Sequence, residues 1–200
     1  MLSKLIRLCA LSVLFAGSAA AKLPATEHID SIVVGAGCFW GVEKRFEAMP
    51  GVIDAVSGYA DGNGVQPTYR AITQKRNQHN PHNHAEVVQI TFNPAVISLT
   101  TLLQHYFEMH DPTQLNRQGN DIGTQYRSII LTNSEAQAAV ATRLKDEFQQ
   151  QLTKAGFGVI TTQIKPLREF FPAEDYHQDY IAKNPNGYCP DHSTGVRFAD

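Results

Sequence analysis

The 200 residues are 42% hydrophobic and 18% charged, enough to bury one sizeable core within the usual size of a single domain. A formal net charge of −2, with eight histidines counted neutral, sets up no broad positive field. That argues against a nucleic-acid backbone or an anionic membrane as partner and favours a small or peptidic substrate.

Residues 1–21 read as a cleavable export signal: Lys4 and Arg7 precede an apolar run over 8–16, and Ala19-x-Ala21 offers small residues for cleavage. The run is too short to span a bilayer. Cys9 stands at its start, whereas a lipid-bearing cysteine would stand at its end. We therefore expect a mature chain from Lys22, exported as a soluble protein and periplasmic in a bacterium. Two cysteines then remain, Cys38 and Cys189, and in an oxidising compartment their number alone suggests one structural disulfide.

The apolar run at 31–35 predicts a buried strand, and Val42, Phe46 and Met49 recur at helical spacing until Pro50-Gly51. Cys38 then stands at a helix N-terminus, where free N–H groups and the helix dipole lower a cysteine pKa from ~8.5 towards ~3.5–7.5. Phe39 and Trp40 follow at once and supply an apolar wall beside the sulfur. A cysteine after a strand is also often a small buried hydrophobe. A dinucleotide loop fits poorly, because Gly35-x-Gly37-x-x-x-Gly41 misses the G-x-G-x-x-G spacing by one residue.

Residues 52–59 predict a second strand, closed by Gly58. The stretch 61–84 is long, polar and turn-rich, and such loops are usually functional or disordered. Tyr69 within it either packs the loop onto the core or faces a site. His79, His82 and His84 lie there too, but no carboxylate or cysteine completes a metal set at a recognised spacing. Residues 87–92 alternate as a strand and place Glu86 at its mouth, where most glutamates are simply solvated.

Leu99, Leu102, Leu103, Tyr106 and Phe107 form a helical stripe. A glycine-punctuated loop over 118–128 follows, with Asp121, on local grounds a turn residue, and Tyr126. Residues 129–131 are a short strand. Ser134-x-x-Gln137 reads as a capping box for the longest helix, with Val140, Leu144, Phe148 and Leu152 four apart and Gly156 closing it. A further strand is expected at 161–164. From 166 the periodicity fades, and the proline, glycine and asparagine of 184–190 leave Cys189 on a segment able to move.

Gly37-Cys38-Phe39-Trp40-Gly41 resembles, residue for residue, the active-site signature of the A-type peptide methionine sulfoxide reductases. The resemblance continues in Pro67-Thr68-Tyr69-Arg70, with Gln66 where the family has asparagine, and in His84-Ala85-Glu86. It extends through 118–128, Ala173-Glu174-Asp175-Tyr176-His177-Gln178 and Gly187-Tyr188-Cys189, covering about 31–190. It departs at 74–83, where ten residues replace a shorter Ser-Gly-x-Thr-Gly stretch, and no further cysteine follows Cys189.

The element order suggests an α+β sandwich. The resemblance implies the family's ferredoxin-like core: helices against a mixed β-sheet, a single catalytic domain over 22–200, and a long irregular tail from about 166. It implies thiol-dependent reduction of methionine S-sulfoxide, free or in proteins, with Cys38 as nucleophile passing through a sulfenic acid. Glu86 would be the acid, Tyr69 and Tyr126 hydroxyl donors, Asp121 a polar organiser, and Phe39 and Trp40 the methyl pocket. Cys189 would close a disulfide with Cys38, reopened by thioredoxin or a thioredoxin-like reductant. No cofactor or metal is expected, and the protein would act as a monomer that repairs oxidised exported proteins. The competing reading is a non-catalytic exported protein with a structural disulfide, binding metal through the histidine loop.

Overall fold

The computed structural model describes residues 28–63 and 65–199; the export signal expected at 1–21 lies outside them. Strand β1 (Asp30–Gly35) leads into helix α1 (Phe39–Glu47), and β2 (Val52–Ala60) into the short helix α2 (Tyr69–Ile72). Strand β3 (Ala85–Phe92) and helix α3 (Leu99–Glu108) follow, then a small hairpin of β4 (Arg117–Gln118) and β5 (Asp121–Ile122). Next come β6 (Ile129–Thr132), α4 (Glu135–Lys154), β7 (Gln163–Pro166), β8 (Phe170–Pro172) and α5 (Tyr180–Lys183). Two 3₁₀ turns, Lys75–Asn77 and Thr124–Tyr126, lie in the connections.

The main sheet runs β7-β6-β1-β3-β2-β8. Its neighbours are antiparallel except β6 and β7, which makes it a mixed sheet in an α+β fold. The unbroken apolar run of β1 has a direct cause: both its faces are covered. Ile32 and Val34 enter the main core with Val88, Ile90 and the inward sides of α1, α3 and α4, whereas Val33 joins Val87, Ile129 and Leu131 on the opposite face, under Leu167 and Phe170. A strand buried on both faces loses the alternation of a half-exposed one.

Helix α4 starts as its sequence predicts. The Ser134 hydroxyl accepts the Gln137 N–H at 3.2 Å, but the reciprocal bond reaches one residue further out, Gln137 Oε1 accepting from the Asn133 N–H at 2.8 Å. Gln137 Nε2 also donates to Asp30 and Ser31, tying α4 to β1. At the far end Gly156 takes φ +83° and the Phe157 N–H returns to the Leu152 carbonyl, the left-handed close that favours glycine.

Three stretches differ from expectation. Strand β7 begins at Gln163, not at 161, because the Thr161 N–H is taken by the Pro112 carbonyl and the Thr162 hydroxyl by Ser128. The loop 61–84 holds α2, capped by Thr68 Oγ1, which accepts the Ala71 N–H. The stretch beyond 166 contains β8, which adds to β2 opposite Gly58, Tyr59 and Ala60, and α5. Elements of three or four residues are too short to show a period. Among the described residues no group of three or more His, Cys, Asp and Glu side chains assembles to hold a metal, so His79, His82 and His84 do not gather. No helix among them is long and apolar enough to cross a membrane.

Candidate active site

Cys38 is the residue before α1, extended (φ −57°, ψ 122°) and with no capping bond from its side chain. Two glycines make this turn possible. A Cβ on Gly35 would lie 2.8 Å from the Glu86 carbonyl oxygen, and Gly37 has φ +94° with Gln118 Cβ where its own side chain would go. The β1–β3 register pairs Val34 with Val88; continued by two residues, it sets Glu86 level with Ala36, beside the start of α1.

Glu86 is 1% exposed. Its Oε2 accepts the Phe39 N–H, the first amide of α1, at 3.2 Å, and its Oε1 is buried without a partner. Burial pushes the carboxyl up to about 8, helped by the Asp121 charge and opposed by the Phe39 N–H. A neutral carboxylic acid is therefore the form at neutral pH, with an oxygen free to donate.

The expected lowering of the Cys38 thiol is not met. Burial raises it above the ordinary cysteine range, and the Glu86 charge adds to that; the Trp40 N–H acts in the expected direction but is outweighed. The physical reason is desolvation first and the neighbouring Glu86 charge second; the helix's first amide is, besides, engaged by Glu86. The half-buried sulfur rests beside carboxyls, and a thiol is the stable form there.

Tyr69 opens α2 and Tyr126 ends the second 3₁₀ turn. Both phenols lie within reach of the Glu86 and Cys38 charges. Burial, then the Glu86 charge, pushes Tyr69 up to about 12 and raises Tyr126 as well, so both remain hydrogen-bond donors. Asp121, on β5, is half-buried with Oδ2 unpartnered. Burial raises its carboxyl, an effect opposed by the Tyr188 hydroxyl of the residue before Cys189.

The two aromatics divide. Phe39 is 1% exposed and belongs to the core, whereas Trp40 is half-buried and stacked on Tyr180 at 3.7 Å between ring centroids. Trp40 Nε1–H donates to His177 Nδ1 at 3.0 Å. Burial holds His177 below its usual range, which keeps that nitrogen an acceptor. Cys189 crosses the first turn of α1: a Cβ on Gly41 would stand 3.3 Å from its sulfur. Cys38 and Cys189, both free thiols, line one recess together with Gly41, Val42 and Tyr188.

The structure thus gathers Cys38, Glu86, Tyr69, Tyr126 and Asp121, with Trp40 and Cys189 at the margins and Phe39 beneath. Sequence reasoning missed Glu174, His177 and Gln178. Glu174 accepts from the Tyr59 hydroxyl at 2.6 Å and the Tyr69 N–H at 3.0 Å, and so anchors the start of α2. Gln178 bonds both the N–H and the carbonyl of Ser57. The only signal for them was the resemblance over 173–178, to which periodicity adds nothing.

Over residues 30–197 the chain matches the family model described as peptide methionine sulfoxide reductase. Peptide methionine sulfoxide reductase MsrA 1 of Caulobacter vibrioides is 48% identical over 182 residues, covering 91% of this chain and 82% of the relative. The solved methionine sulfoxide reductase A of Corynebacterium diphtheriae is 43% identical with a TM-score of 0.75, over 86% of this chain and 84% of that one. Mxr1 of Saccharomyces cerevisiae, solved in complex with Trx2, is 26% identical with a TM-score of 0.55, over 90% and 96%.

Proposed function

The chain belongs to the peptide methionine sulfoxide reductase family and is a peptide-methionine (S)-S-oxide reductase, an oxidoreductase; from that premise we propose how its own residues carry the reaction. The observation that carries the reading is a buried carboxyl with a partnerless oxygen, pushed up to about 8 by that burial, beside a thiol and two phenols.

A methyl sulfoxide enters with its methyl group against Trp40 and its oxygen towards Glu86, Tyr69 and Tyr126. The Cys38 sulfur attacks the sulfoxide sulfur while Glu86 protonates the oxygen and the phenols hydrogen-bond the charge growing on it. The thiol proton, released as the S–S bond forms, completes the oxygen's conversion to leaving water. Water adding at the Cys38 sulfur then gives the sulfenic acid, frees the thioether and returns a proton to the Glu86 carboxylate. In sum, one thiol and one sulfoxide become one sulfenic acid and one thioether, the Cys38 sulfur oxidised by the two electrons that the methionine sulfur gains. The Cys189 thiol attacks the sulfenic acid, water leaves, and a disulfide forms, which an external dithiol reopens.

Asp121 organises the polar side, and Phe39 backs Trp40 from below. The Mxr1–Trx2 complex supports a thioredoxin-like reductant. Residues 1–21 support export, with the mature chain over 22–200 acting as a periplasmic monomer, away from the membrane, on oxidised exported proteins. The central order β6-β1-β3-β2, antiparallel throughout, supports the ferredoxin-like reading of the fold.

The test is dithiol-dependent consumption of a methyl sulfoxide by the mature chain, scored by epimer. The S form should disappear and the R form persist. Survival of both, or loss of both at one rate, would overturn the proposal.

A further inference from the structure

The segment 74–83, where this chain departs from the pattern it otherwise resembles, lies between the two elements that carry the phenols. Asn77 clips both of them: its Nδ2 donates to the Ala71 carbonyl of α2 at 2.8 Å, and its carbonyl accepts the Thr124 hydroxyl at 3.0 Å. Asn83, 5% exposed, repeats the arrangement from the other end. Its Nδ2 donates to the Ile72 carbonyl at 2.9 Å and to Thr124 Oγ1 at 3.4 Å. Between them the Gln78 carbonyl accepts the Thr124 N–H at 2.9 Å. Arg127 closes the far side, donating to the carbonyls of Asn83 and Thr124.

Helix α2 has four residues and the turn at 124–126 has three. Elements that short do not hold their own shape in water. The placement of Tyr69 relative to Tyr126 is therefore set from outside, and the hydrogen bonds that set it come largely from this segment. Thr124 is the common point, donating to one asparagine and accepting from the other.

We infer that the segment 74–83 is a brace for the two phenols, with Asn83 and Thr124 as positioning residues for the sulfoxide step. They touch no substrate. Their effect passes through Tyr69 and Tyr126, whose hydroxyls must point at charge that grows only in the transition state, so slack in the brace lowers kcat and leaves KM alone. The inference rests on the reductase reading.

Thr124→Val keeps the shape of the buried side chain and removes its hydroxyl; Thr124→Ser keeps the hydroxyl. We expect the single-turnover rate, per titrated Cys38, to fall roughly tenfold to a hundredfold in Thr124→Val and in Asn83→Ala. KM should stay unchanged, and Thr124→Ser should restore most of the rate. With Tyr69 and Tyr126 both replaced by Phe, Thr124→Val should cost nothing more, since the groups it aims are gone. A wild-type rate in Thr124→Val, no rescue by serine, or an undiminished loss without the phenols would overturn the brace. A wild type inactive on sulfoxide would instead overturn the reductase reading beneath it. Should Asn83→Ala fail to fold, the Thr124 pair decides.

Discussion

The two half-buried thiols stand in opposite kinds of structure. Cys38 joins a strand buried on both faces to the first turn of a helix, and Glu86 beside it is fixed by the sheet register. Cys189 lies in 184–199, which holds no strand or helix among the described residues. That segment is held by an Arg45–Asp191 ion pair at 3.6 Å and by the Phe198 N–H on Glu108. An exposed ion pair of this kind is worth about 0–1 kcal/mol. The contrast suits the two steps proposed above: moving a proton needs heavy atoms already in place, while a sulfur that is to form a new bond is well carried on a segment without ladder bonds, which shifts at low cost.

The strongest way to break that comparison is at the sulfurs. Cys38→Ser should abolish turnover, while Cys189→Ser should release about one methionine per chain and then stall without an alternative reductant. Rapid-quench counting of the first turnover separates them, and equal loss there would erase the distinction.

Next in size, Glu86→Gln should slow the sulfoxide step by about 10²–10⁴-fold and leave disulfide closure intact. Glu86 donates only while protonated, so the wild-type rate should hold through neutral pH and fall as pH rises through about 8. The variant should lack that limb. Stability follows the same sign. A carboxyl raised in the folded chain contributes fully below its ordinary value near 4.5, and the contribution is lost as pH rises through about 8. Denaturant titrations across that window should show the decline in wild type and its absence in Glu86→Gln.

The smallest effect sharpens the comparison most. Gly41→Ala places a methyl 3.3 Å from the Cys189 sulfur. Disulfide closure should slow severalfold with the first turnover unchanged, while α1 gains up to about 1 kcal/mol of helix propensity. A slower first turnover would mean that Gly41 serves the sulfoxide step instead.

What could be read from the sequence follows the same division. The strand at 31–35, the strand before Phe92 and the helices through Phe107 and Phe148 announced themselves because each buries a periodic face in one core. Cys38 and Glu86 were legible with them, being where those elements begin and end. The Cys38 ionisation was not. A local rule about helix ends gave the wrong direction, because the competing Glu86 lies 48 residues away and the desolvation is tertiary. Glu174, His177 and Gln178 were illegible for a related reason: each makes its decisive bond to a residue more than a hundred positions earlier.

Gln178 has one more consequence. Its Oε1 accepts the Ser57 N–H and its Nε2 donates to the Ser57 carbonyl, the pattern a neighbouring backbone would make, just where β8 stops pairing with β2. A side chain thus fills a place that a strand from another molecule would otherwise take. Bare sheet margins template self-association, and at the opposite margin β7 ends in Pro166, which has no N–H to offer. With both devices in place, exposed strands of other chains find few places to bond along this rim.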